Sequence, residues 1–563
     1  MYRRHCSCVR PTGPSAQGHA PSGDRPACRS TTTYPRTNSS ARDRRDATRF
    51  GLVWEANEID RDKAINSDFV ALDLVPDQSV GAAPWRNLII EGDNFDALRY
   101  LRMTHAGRVK CIYIDPPYNT GNRDFIYNDR FVDTNDAWRH SMWCEFMYQR
   151  LLLAKDLLRQ DGVIYVSIDD NEIYALGLLM QKVFGEANFV ANVIWQKNYS
   201  PKNTAKHFSA DHDFIVAFAA SGETWRPNLL PRTEAQDKAY KNPDNDPRGR
   251  WKAGDLSARN PYSQGTYSIT TPSGRVIPGP PPGNYWRYSK ANLEAMDRDK
   301  RIWWGKGGNN VPAIKRFLSE VQDGMVPQTM WPYSDVGHTQ DAKKEIHQIL
   351  DFPDSASVFS TPKPVALIDR ILRLSTGPED LVLDFFAGSG TTAHAVLKLN
   401  AEDGGKRRVI LVSNAEATAD EPDKNLCRDV CAKRVRRVIE GYGDTPGVAG
   451  DFAYLRCRRI APGRMVEIEH AQVWTALQMI HRETLEPFAE TDFLCAGDEE
   501  ATLIYVPRFT TKLVPALRKA VQGSAAVILY SWQPETLQQH IRSSHVQHEA
   551  IPESLARRFG MKG

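Results

Sequence analysis

The stretch that decides the fold is Cys111-Ile112-Tyr113-Ile114-Asp115-Pro116-Pro117-Tyr118. Its first four residues are apolar or aromatic, which is typical of a buried strand. The two prolines then end the strand, because each fixes φ and lacks an N–H to donate to a neighbouring strand. The sequence therefore predicts a turn that places Asp115 and Tyr118 at the carboxyl end of a strand.

Strands and helices alternate on both sides of this stretch. The predicted elements before residue 222 are a strand over 87–90, a helix carrying Phe95, Leu98 and Leu101, a helix around 147–158 that ends near 161–162, a strand over 163–168, a helix over 173–184, and strands over 190–195 and 214–219. The pattern resumes near 359 with a helix over 364–374, a strand over 381–384, a helix carrying Ala393, Val396 and Leu397, and a strand over 409–412. Such alternation indicates a mainly parallel α/β sheet. A small α/β tail follows residue 450, with strands near 502–506 and 525–530.

Residues 222–350 interrupt this pattern and are predicted to form an inserted module rather than part of the sheet. Pro, Gly, Asn, Trp and Tyr are frequent there, and basic residues alternate with aromatic ones at 250–252, 285–288 and 301–306. Such clusters suit contacts to DNA phosphates and base edges. The alternative is that they pack the interior of a loop-rich module.

The length of 563 residues suggests about three structural units. The net charge of +3 is uneven, because residues 1–50 contain ten Arg and three Asp with no Lys or Glu. That segment carries +7 and the remainder −4, so any surface that binds nucleic acid must be local. Residues 1–50 lack an apolar period and are predicted to be disordered.

Nine scattered cysteines do not resemble a disulfide framework and favour a reducing compartment. Cys427 and Cys431 have helical i,i+4 spacing, but no second Cys or His pair lies nearby in sequence to complete a zinc site. No metal is therefore expected. No run of about 18 apolar residues occurs, so no transmembrane helix is expected.

The residues Asp115, Pro116, Pro117 and Tyr118 suit recognition of an amino group on a base. The Asp115 carboxylate and the Pro116 carbonyl could accept both hydrogens, which would free the nitrogen lone pair to attack a methyl group. Tyr118 could stack on an extruded base. For this motif alone, a proline-rich turn without a site remains the alternative.

A glycine-rich turn, Phe386-Ala387-Gly388-Ser389-Gly390, lies between a predicted strand and a predicted helix. Glycines let the backbone approach a ligand closely, and the helix N-terminus offers N–H groups to an anion such as a carboxylate. Ser389 and Thr391 add hydroxyl donors. A phosphate loop would require Lys before the Ser/Thr, whereas Thr391-Thr392 follows Gly390, so ATP binding is not expected.

Two acidic residues follow strands of the predicted sheet. Glu416 follows the strand after the glycine-rich turn, where folds of the dinucleotide-binding type bind ribose hydroxyls, although it could be a surface carboxylate. Asp93 could accept from the adenine amino group of a cofactor or cap a helix, and these two roles are compatible.

Together these motifs resemble the β-group of amino-methyltransferases, especially the modification subunits of type III restriction–modification systems. Residues 115–121 look like the catalytic motif of that family and residues 386–390 like its cofactor motif. Residues 360–364 resemble the motif whose Thr and Lys, here Thr361 and Lys363, help to hold the methionine part of the cofactor. The resemblance covers roughly residues 50–440, and the order of catalytic block, insert and cofactor block is typical of the family.

The resemblance implies a Rossmann-like, circularly permuted, S-adenosylmethionine-dependent sheet that methylates N6 of adenine in duplex DNA at Asp115, Pro116, Pro117 and Tyr118. The implied cofactor residues are Asp93, Thr361, Lys363, Asp384, Phe386, Gly388, Ser389, Gly390, Thr391 and Glu416. Methylation of cytosine N4 is the nearest alternative, since that group more often has Ser in place of Asp115. A DNA-specificity protein without catalysis and an RNA methyltransferase are the others.

The predicted organisation is a disordered tail over 1–50, the catalytic half of the methyltransferase over 51–221, a target-recognition insert over 222–350, the cofactor half over 351–445 and a small C-terminal α/β domain over 446–563. The resemblance also implies a homodimer in the bacterial cytoplasm, associated with the nucleoid. A restriction subunit with helicase and nuclease activity would be its partner, the alternative being a solitary methyltransferase, and no membrane is expected.

Overall fold

The computed structural model describes residues 68–560 apart from 122–125, 128–129, 132–138, 322–323, 351–360, 418–420, 462 and 498–499. The predicted disordered tail over 1–50 therefore lies outside the described residues. Within the described part of the chain, no helix is both long enough and apolar enough to cross a membrane.

Among the described residues, ten strands form the large sheet. They are β1 Phe69–Leu74, β2 Leu88–Glu91, β3 Val109–Ile114, β4 Leu158–Ile168, β5 Phe189–Gln196, β6 His212–Ala219, β7 Met330–Trp331, β8 Leu381–Asp384, β9 Arg408–Ser413 and β10 Ala453–Ile460. Their order across the sheet is β1-β10-β2-β9-β8-β3-β4-β6-β5-β7. The six strands from β10 to β4 are mutually parallel, which confirms the predicted α/β class.

Helices cover both faces of this sheet. They are α1 Asn94–His105, α2 Arg139–Leu157, α3 Ile173–Phe184, α4 Thr339–Ile349, α5 Val365–Ser375, α6 Thr391–Asp403, α7 Lys433–Glu440 and α8 His470–His481. The first three and α8 pack on one face, and α4 to α7 pack on the other. Parallel strands buried on both faces explain why the sequence shows continuous apolar runs there.

The alternation of side chains along β3 and β4 builds both cores at once. Ile112 and Ile114 of β3 belong to the core under α1 to α3, whereas Cys111 and Tyr113 belong to the core under α4 to α7. Because successive strand residues point to opposite faces, a single run of four apolar residues serves both layers. Strand β3 ends at Ile114, so Asp115 lies at the carboxyl edge of the sheet.

The predicted helix around 147–158 differs from the structure at both ends. In the structure this helix, α2, begins at Arg139 and ends at Leu157, and Leu158 already belongs to β4. The dipeptide Asp161-Gly162 lies inside β4, where the register against β3 shifts, rather than at the end of a helix. A Cβ at Gly162 would lie 2.8 Å from the Arg159 carbonyl oxygen, so this bulged backbone requires glycine.

Strand β6 runs antiparallel to both β4 and β5, and β1 runs antiparallel to β10. The predicted boundary of the insert at 350 also differs from the structure, because β7 pairs in parallel with β5. Ile346 and Ile349 of α4 belong to the core of the large sheet. Two-residue strands give little signal in a sequence, since hydrogen bonds to a remote strand define them.

The inserted module leaves and rejoins the main body at adjacent positions. Leu230 and Met325 exchange both backbone hydrogen bonds, at 2.9 and 2.8 Å. Between them the module has its own core, which contains Trp286, Leu256 and Leu293. Its strands are Trp251–Asp255, Ser257–Ala258, Ile269–Thr270, Val276–Ile277, Tyr285–Trp286, Ile302–Trp303 and Ala313–Phe317, and its helices are Glu234–Lys238 and Lys290–Arg298.

The C-terminal region is a four-stranded sheet of β11 Leu494–Gly497, β12 Ala501–Val506, β13 Ala526–Ser531 and β14 Val546–Ala550 with helices α9 Val514–Val521, α10 Pro534–His540 and α11 Glu553–Phe559. The predicted boundary at 446 differs from the structure, because β10 lies inside the large sheet. The ring of Phe559 lies 4.7 Å from that of Phe69 in β1, so the C-terminal region shares a core with the main body.

Candidate active site

The carboxyl ends of β3 and β8 lie side by side, and the chain leaves them in opposite directions across the sheet. Ligands of doubly wound folds bind in the crevice formed at such a point. The predicted catalytic motif follows β3, and the glycine-rich turn follows β8. Tertiary structure thus brings together two motifs that are about 270 positions apart.

An ion pair joins the two motifs. Lys363 Nζ lies 2.5 Å from Asp115 Oδ2, and the side chains are 8% and 22% exposed. The remaining oxygen, Asp115 Oδ1, is buried and has no partner in good hydrogen-bond geometry among the described residues, although the buried Tyr118 hydroxyl lies close enough to the Asp115 carboxylate to interact with it. A buried acceptor without a donor is unfavourable by about 1–3 kcal/mol, so the crevice suits a ligand that brings an N–H group.

Further charges surround this pair. Lys197 Nζ lies 2.5 Å from Asp213 Oδ1 at the start of β6, and Asp213 is buried. Burial raises the pKa of the Asp213 carboxyl, and the charges of Lys363 and Lys197 partly offset that rise. The Lys363 ammonium also lies 6.0 Å from the ring centre of Trp195. Sequence reasoning missed Lys197, Asp213 and Trp195, which a search for charges flanking the β5–β6 hairpin could have found.

Tyr118 forms one wall of the crevice. Its ring centre lies 5.1 Å from Lys363 Nζ, within the range of a cation–π contact. Burial first, and then the negative charge of Asp115, raise the pKa of the Tyr118 hydroxyl well above its usual range. The side chain is therefore a neutral, partly buried aromatic surface beside the carboxylate.

The residues around Tyr118 are fixed by buried contacts. Trp143 Nε1 donates to the Pro117 carbonyl at 2.7 Å. Asn119 is fully buried with φ of 57°, and its Nδ2 donates to Glu172 Oε1 at 2.6 Å. His140 Nδ1 lies 2.6 Å from the same oxygen. These contacts, which sequence reasoning also missed, hold the turn from two helices, α2 and α3.

The glycine-rich turn is braced from within by Asp384. Its Oδ1 accepts from the Phe386 N–H at 3.0 Å and its Oδ2 from the Thr392 hydroxyl at 2.5 Å. Burial raises the pKa of the Asp384 carboxyl to about 7, and the negative charge of Asp115 contributes. Gly388 and Gly390 have φ of 48° and 77°, a region that favours glycine.

The hydroxyls of Ser389 and Thr391 are buried against a charged side chain, and their contact with a ligand stays a prediction. Arg434 Nη1 donates to Ser389 Oγ at 3.2 Å and to Thr391 Oγ1 at 2.7 Å. Arg434 is fully buried, and burial lowers its pKa to about 10. Arg434 therefore fixes both hydroxyls from the interior side of the turn.

Asp93 is a helix cap, as one of its two predicted roles required. Its Oδ1 accepts from the Phe95 N–H at 2.8 Å, and Arg150 Nη2 donates to its Oδ2 at 3.2 Å. Arg150 also donates to Asn94, whose amide donates to the Phe385 carbonyl at 2.9 Å. This chain links α1 and α2 to the end of β8.

Glu416, Thr361 and Phe386 lie at accessible positions. Glu416 follows β9 in a left-handed conformation with φ of 53°, and its exposed carboxylate lies 3.5 Å from Lys424 Nζ. Thr361 is exposed next to Lys363, and the half-buried ring of Phe386 lies 6.0 Å from that of Phe146. In the described residues, no group of three or more His, Cys, Asp or Glu could hold a metal.

A family model described as DNA methylase, of the N6/N4 type, matches residues 109–405, which is more than half of the chain. The chain belongs to this DNA methylase family. The matched segment begins with β3 and ends just after α6, so it contains both motifs of the crevice and the inserted module. The order of the motifs is thus a feature that this methylase shares with its family.

The chain is similar to named relatives over more than half of its length. It is 35% identical to the type III restriction–modification enzyme StyLTI Mod subunit of Salmonella typhimurium over 407 residues, 67% of this chain and 60% of that protein. It is 31% identical to the type II methyltransferase M.KpnI of Klebsiella pneumoniae over 375 residues, 63% of this chain and 88% of that protein. The chain spans about three fifths of the length of the type III relatives it matches.

Solved structures similar to the methylase include the M1.HpyAVI–SAM complex, at 13% identity and a TM-score of 0.28 over 62% of this chain and 97% of that one. The PvuII DNA methyltransferase, described as cytosine-N4-specific, has 13% identity and a TM-score of 0.31 over 63% of this chain and 89% of that one.

Proposed function

We propose that this methylase transfers a methyl group from S-adenosylmethionine to N6 of adenine in duplex DNA, as the modification component of a restriction–modification system. The observation that carries the proposal is the free Oδ1 of Asp115, buried beside the glycine-rich turn while Lys363 occupies Oδ2. A carboxylate held in this way can accept a hydrogen bond from an amino group without rotating away.

The chain's own residues have separable tasks in this proposal. Asp115 Oδ1 and the Pro116 carbonyl accept the two hydrogens of the adenine amino group, which leaves the nitrogen lone pair free to attack. Trp143 engages the neighbouring Pro117 carbonyl and thereby fixes the direction of the turn. Tyr118 stacks on the extruded base. Lys363 keeps the Asp115 carboxylate oriented.

The crevice fits S-adenosylmethionine, which when bound supplies an electrophilic methyl group. The N–H groups at the start of α6 suit a carboxylate, and the positive φ of Gly388 and Gly390 shapes the turn that leads into this helix. Lys363 has three donors, so it can contact Asp115 and the methionine carboxylate together with Thr361. Glu416 suits ribose hydroxyls, and Asp93 and Phe386 line the adenine side. Asp384, Ser389 and Thr391 support the turn from behind.

The target-recognition role belongs, in this proposal, to the module between Leu230 and Met325. Its aromatic and basic residues divide by burial: Trp251 and Trp286 pack inside, whereas Arg250, Lys252 and Arg287 are exposed. Alternation along a strand explains this division, since neighbouring residues point to opposite faces. Exposed cations on one module suit DNA phosphates.

The partners that we propose for this chain follow from the names of its type III relatives. Because those relatives are Mod subunits of restriction–modification enzymes, we expect this chain to form a homodimer and to assemble with a restriction subunit. A substrate of duplex DNA also favours a cytoplasmic location at the nucleoid.

A nucleoside analysis tests the activity. Purified protein is incubated with methyl-labelled S-adenosylmethionine and either mixed-sequence duplex DNA or RNA of matched sequence, and the digested nucleosides are separated by mass spectrometry. We expect labelled N6-methyladenine from the DNA alone, and none with Asp115→Ala. Labelled N4-methylcytosine would show that the enzyme methylates cytosine N4 and not adenine N6. Label in the RNA would show that RNA is a substrate. Cofactor binding without methyl transfer would contradict catalysis. Sequencing of the methylated DNA then gives the target site.

A further inference from the structure

The loop between β5 and β6, residues 198–211, begins and ends at the crevice. The ion pair of Lys197 with Asp213 closes its base, and the N–H groups of Lys197 and Asn198 both donate to the Asp211 carbonyl, at 2.9 and 3.3 Å. Asp213 in turn is close enough to Asp115 for their charges to interact. The loop is therefore anchored where the target base is proposed to bind.

Internal hydrogen bonds brace this loop. Asn198 Nδ2 donates to the Ala210 carbonyl at 2.9 Å, and the Lys202 N–H donates to Ser209 Oγ at 2.7 Å. Ser209 Oγ also donates to Asp211 Oδ1 at 2.5 Å. These hydrogen bonds thus connect the residues before the tip of the loop to the residues after it.

An aromatic residue projects from the braced loop. Phe208 is 94% exposed, and the loop residues Lys202, Lys206 and His207 are exposed beside it. No acidic residue occurs from 198 to 210. Burying a phenylalanine side chain is favourable by about 1.5–3 kcal/mol, so the exposed ring has a strong tendency to enter an apolar environment. Cations around it would attract a polyanion.

Phe208 lies within reach of a duplex that binds at the crevice. It precedes Asp213 by five residues, so their Cα atoms are at most about 17 Å apart. Extrusion of a base leaves an apolar gap between the neighbouring base pairs. Proteins that deform DNA insert apolar side chains between base steps, with cations contacting the phosphates around them.

We propose that Phe208 enters the duplex and fills the space vacated by the extruded adenine, while Lys202 and Lys206 contact the flanking phosphates. This inference rests on the proposed function, since only base extrusion creates the gap. Phe208 then stabilises the extruded state of DNA rather than the methyl-transfer step itself.

Methylation of paired and mismatched targets tests this role. Two duplexes carry the mapped target site, one with the adenine paired and one with it mismatched, so that extrusion is already easier in the second. We expect Phe208→Ala to lower kcat/KM on the paired duplex by about tenfold, or about 1.4 kcal/mol, and to leave the mismatched duplex nearly unchanged. Phe208→Trp should restore activity, and Thr204→Ala, at another exposed position of the same loop, should have no effect.

Fluorescence of 2-aminopurine at the target position provides the second measurement. The wild type should increase it on binding, and Phe208→Ala should give a smaller increase. An equal loss of activity on both duplexes would overturn the inference, as would a change of oligomeric state caused by Phe208→Ala without DNA. A wild type that methylates neither duplex would overturn the proposed function itself, and failure of the mismatch to rescue Phe208→Ala would overturn only the insertion.

Discussion

Lys363 Nζ lies 2.5 Å from Asp115 Oδ2, although 248 positions separate the two residues in the chain. The lysine precedes α5 and the aspartate follows β3, so one charge-assisted hydrogen bond connects the two halves of the methylase sheet. Because the bond engages only one carboxylate oxygen, it orients Asp115 and leaves its second oxygen for a ligand. The two oxygens of Asp115 thus have different roles: Oδ2 binds Lys363, and Oδ1 is left for the ligand.

Replacing Lys363 by Met should lower methyl transfer by about 100-fold, because Asp115 loses the cation that orients it. Steady-state kinetics with calorimetry of cofactor binding would measure the change. Lys343→Met, at an exposed lysine on α4, serves as the control. Activity of the Lys363 variant close to that of the wild type would contradict the assigned role.

Replacing Arg434 by Met should weaken S-adenosylmethionine binding roughly tenfold, although we expect no contact between Arg434 and the cofactor. The change leaves the buried hydroxyls of Ser389 and Thr391 without their donor, so the glycine-rich turn loses its rigid support. Calorimetric titration would measure this. Lys433→Met, at the exposed neighbouring position, should bind the cofactor normally. Equal affinities of the two variants would show that the turn does not depend on Arg434.

The free energy of unfolding should depend on pH because Asp384 titrates differently in the folded and unfolded states. Its pKa is about 7 when folded and near 3.8 when unfolded, so the folded state keeps a proton that the unfolded chain releases. Stability should therefore fall as pH rises from 4 to 7, by about 4 kcal/mol at most. Urea denaturation at several pH values would show this fall in the wild type and a shallower one in Asp384→Asn. Parallel pH profiles of the two proteins would contradict it.

Replacing Glu172 by Ala should destabilise the protein by about 1–3 kcal/mol, because the amide of buried Asn119 loses the closer of its two acceptors and keeps only the Arg139 carbonyl at 3.3 Å. Methyl transfer should fall as well, since Asn119 directly follows Tyr118, whereas cofactor affinity should not change. Chemical denaturation and single-turnover kinetics would separate these effects. Glu186→Ala, at an exposed position, is the control. If Glu172→Ala lowers the free energy of unfolding but leaves the rate of methyl transfer unchanged, Glu172 contributes to stability alone.

Replacing residues 231–324 by Asn-Gly should leave a protein that folds and binds S-adenosylmethionine. Leu230 and Met325 form a hydrogen-bonded antiparallel pair, which a two-residue turn can close, and the module has its own core. Site-selective methylation should be lost with the module. Methylation of the same sites after the deletion would show that recognition lies elsewhere.

The sequence by itself determined the order and type of most elements of the sheet. Apolar runs ended by Pro-Pro or by a glycine-rich turn located β3, β8 and the helix after β8, because local backbone chemistry is sufficient to end a strand. Such motifs also predicted Asp115 and Tyr118, whereas Lys363 was predicted from the resemblance of residues 360–364 to a family motif. The sequence alone did not fix which oxygen of Asp115 would be free.

Tertiary structure decided what depends on contacts between remote segments. The strand Met330–Trp331 and the strand Ala453–Ile460 belong to the sheet only because β5, β1 and β2 offer them hydrogen bonds. The inward orientation of Ser389 and Thr391 depends on Arg434, over forty positions away. Buried polar groups require partners, and the partners available to a side chain are known only when the chain has folded.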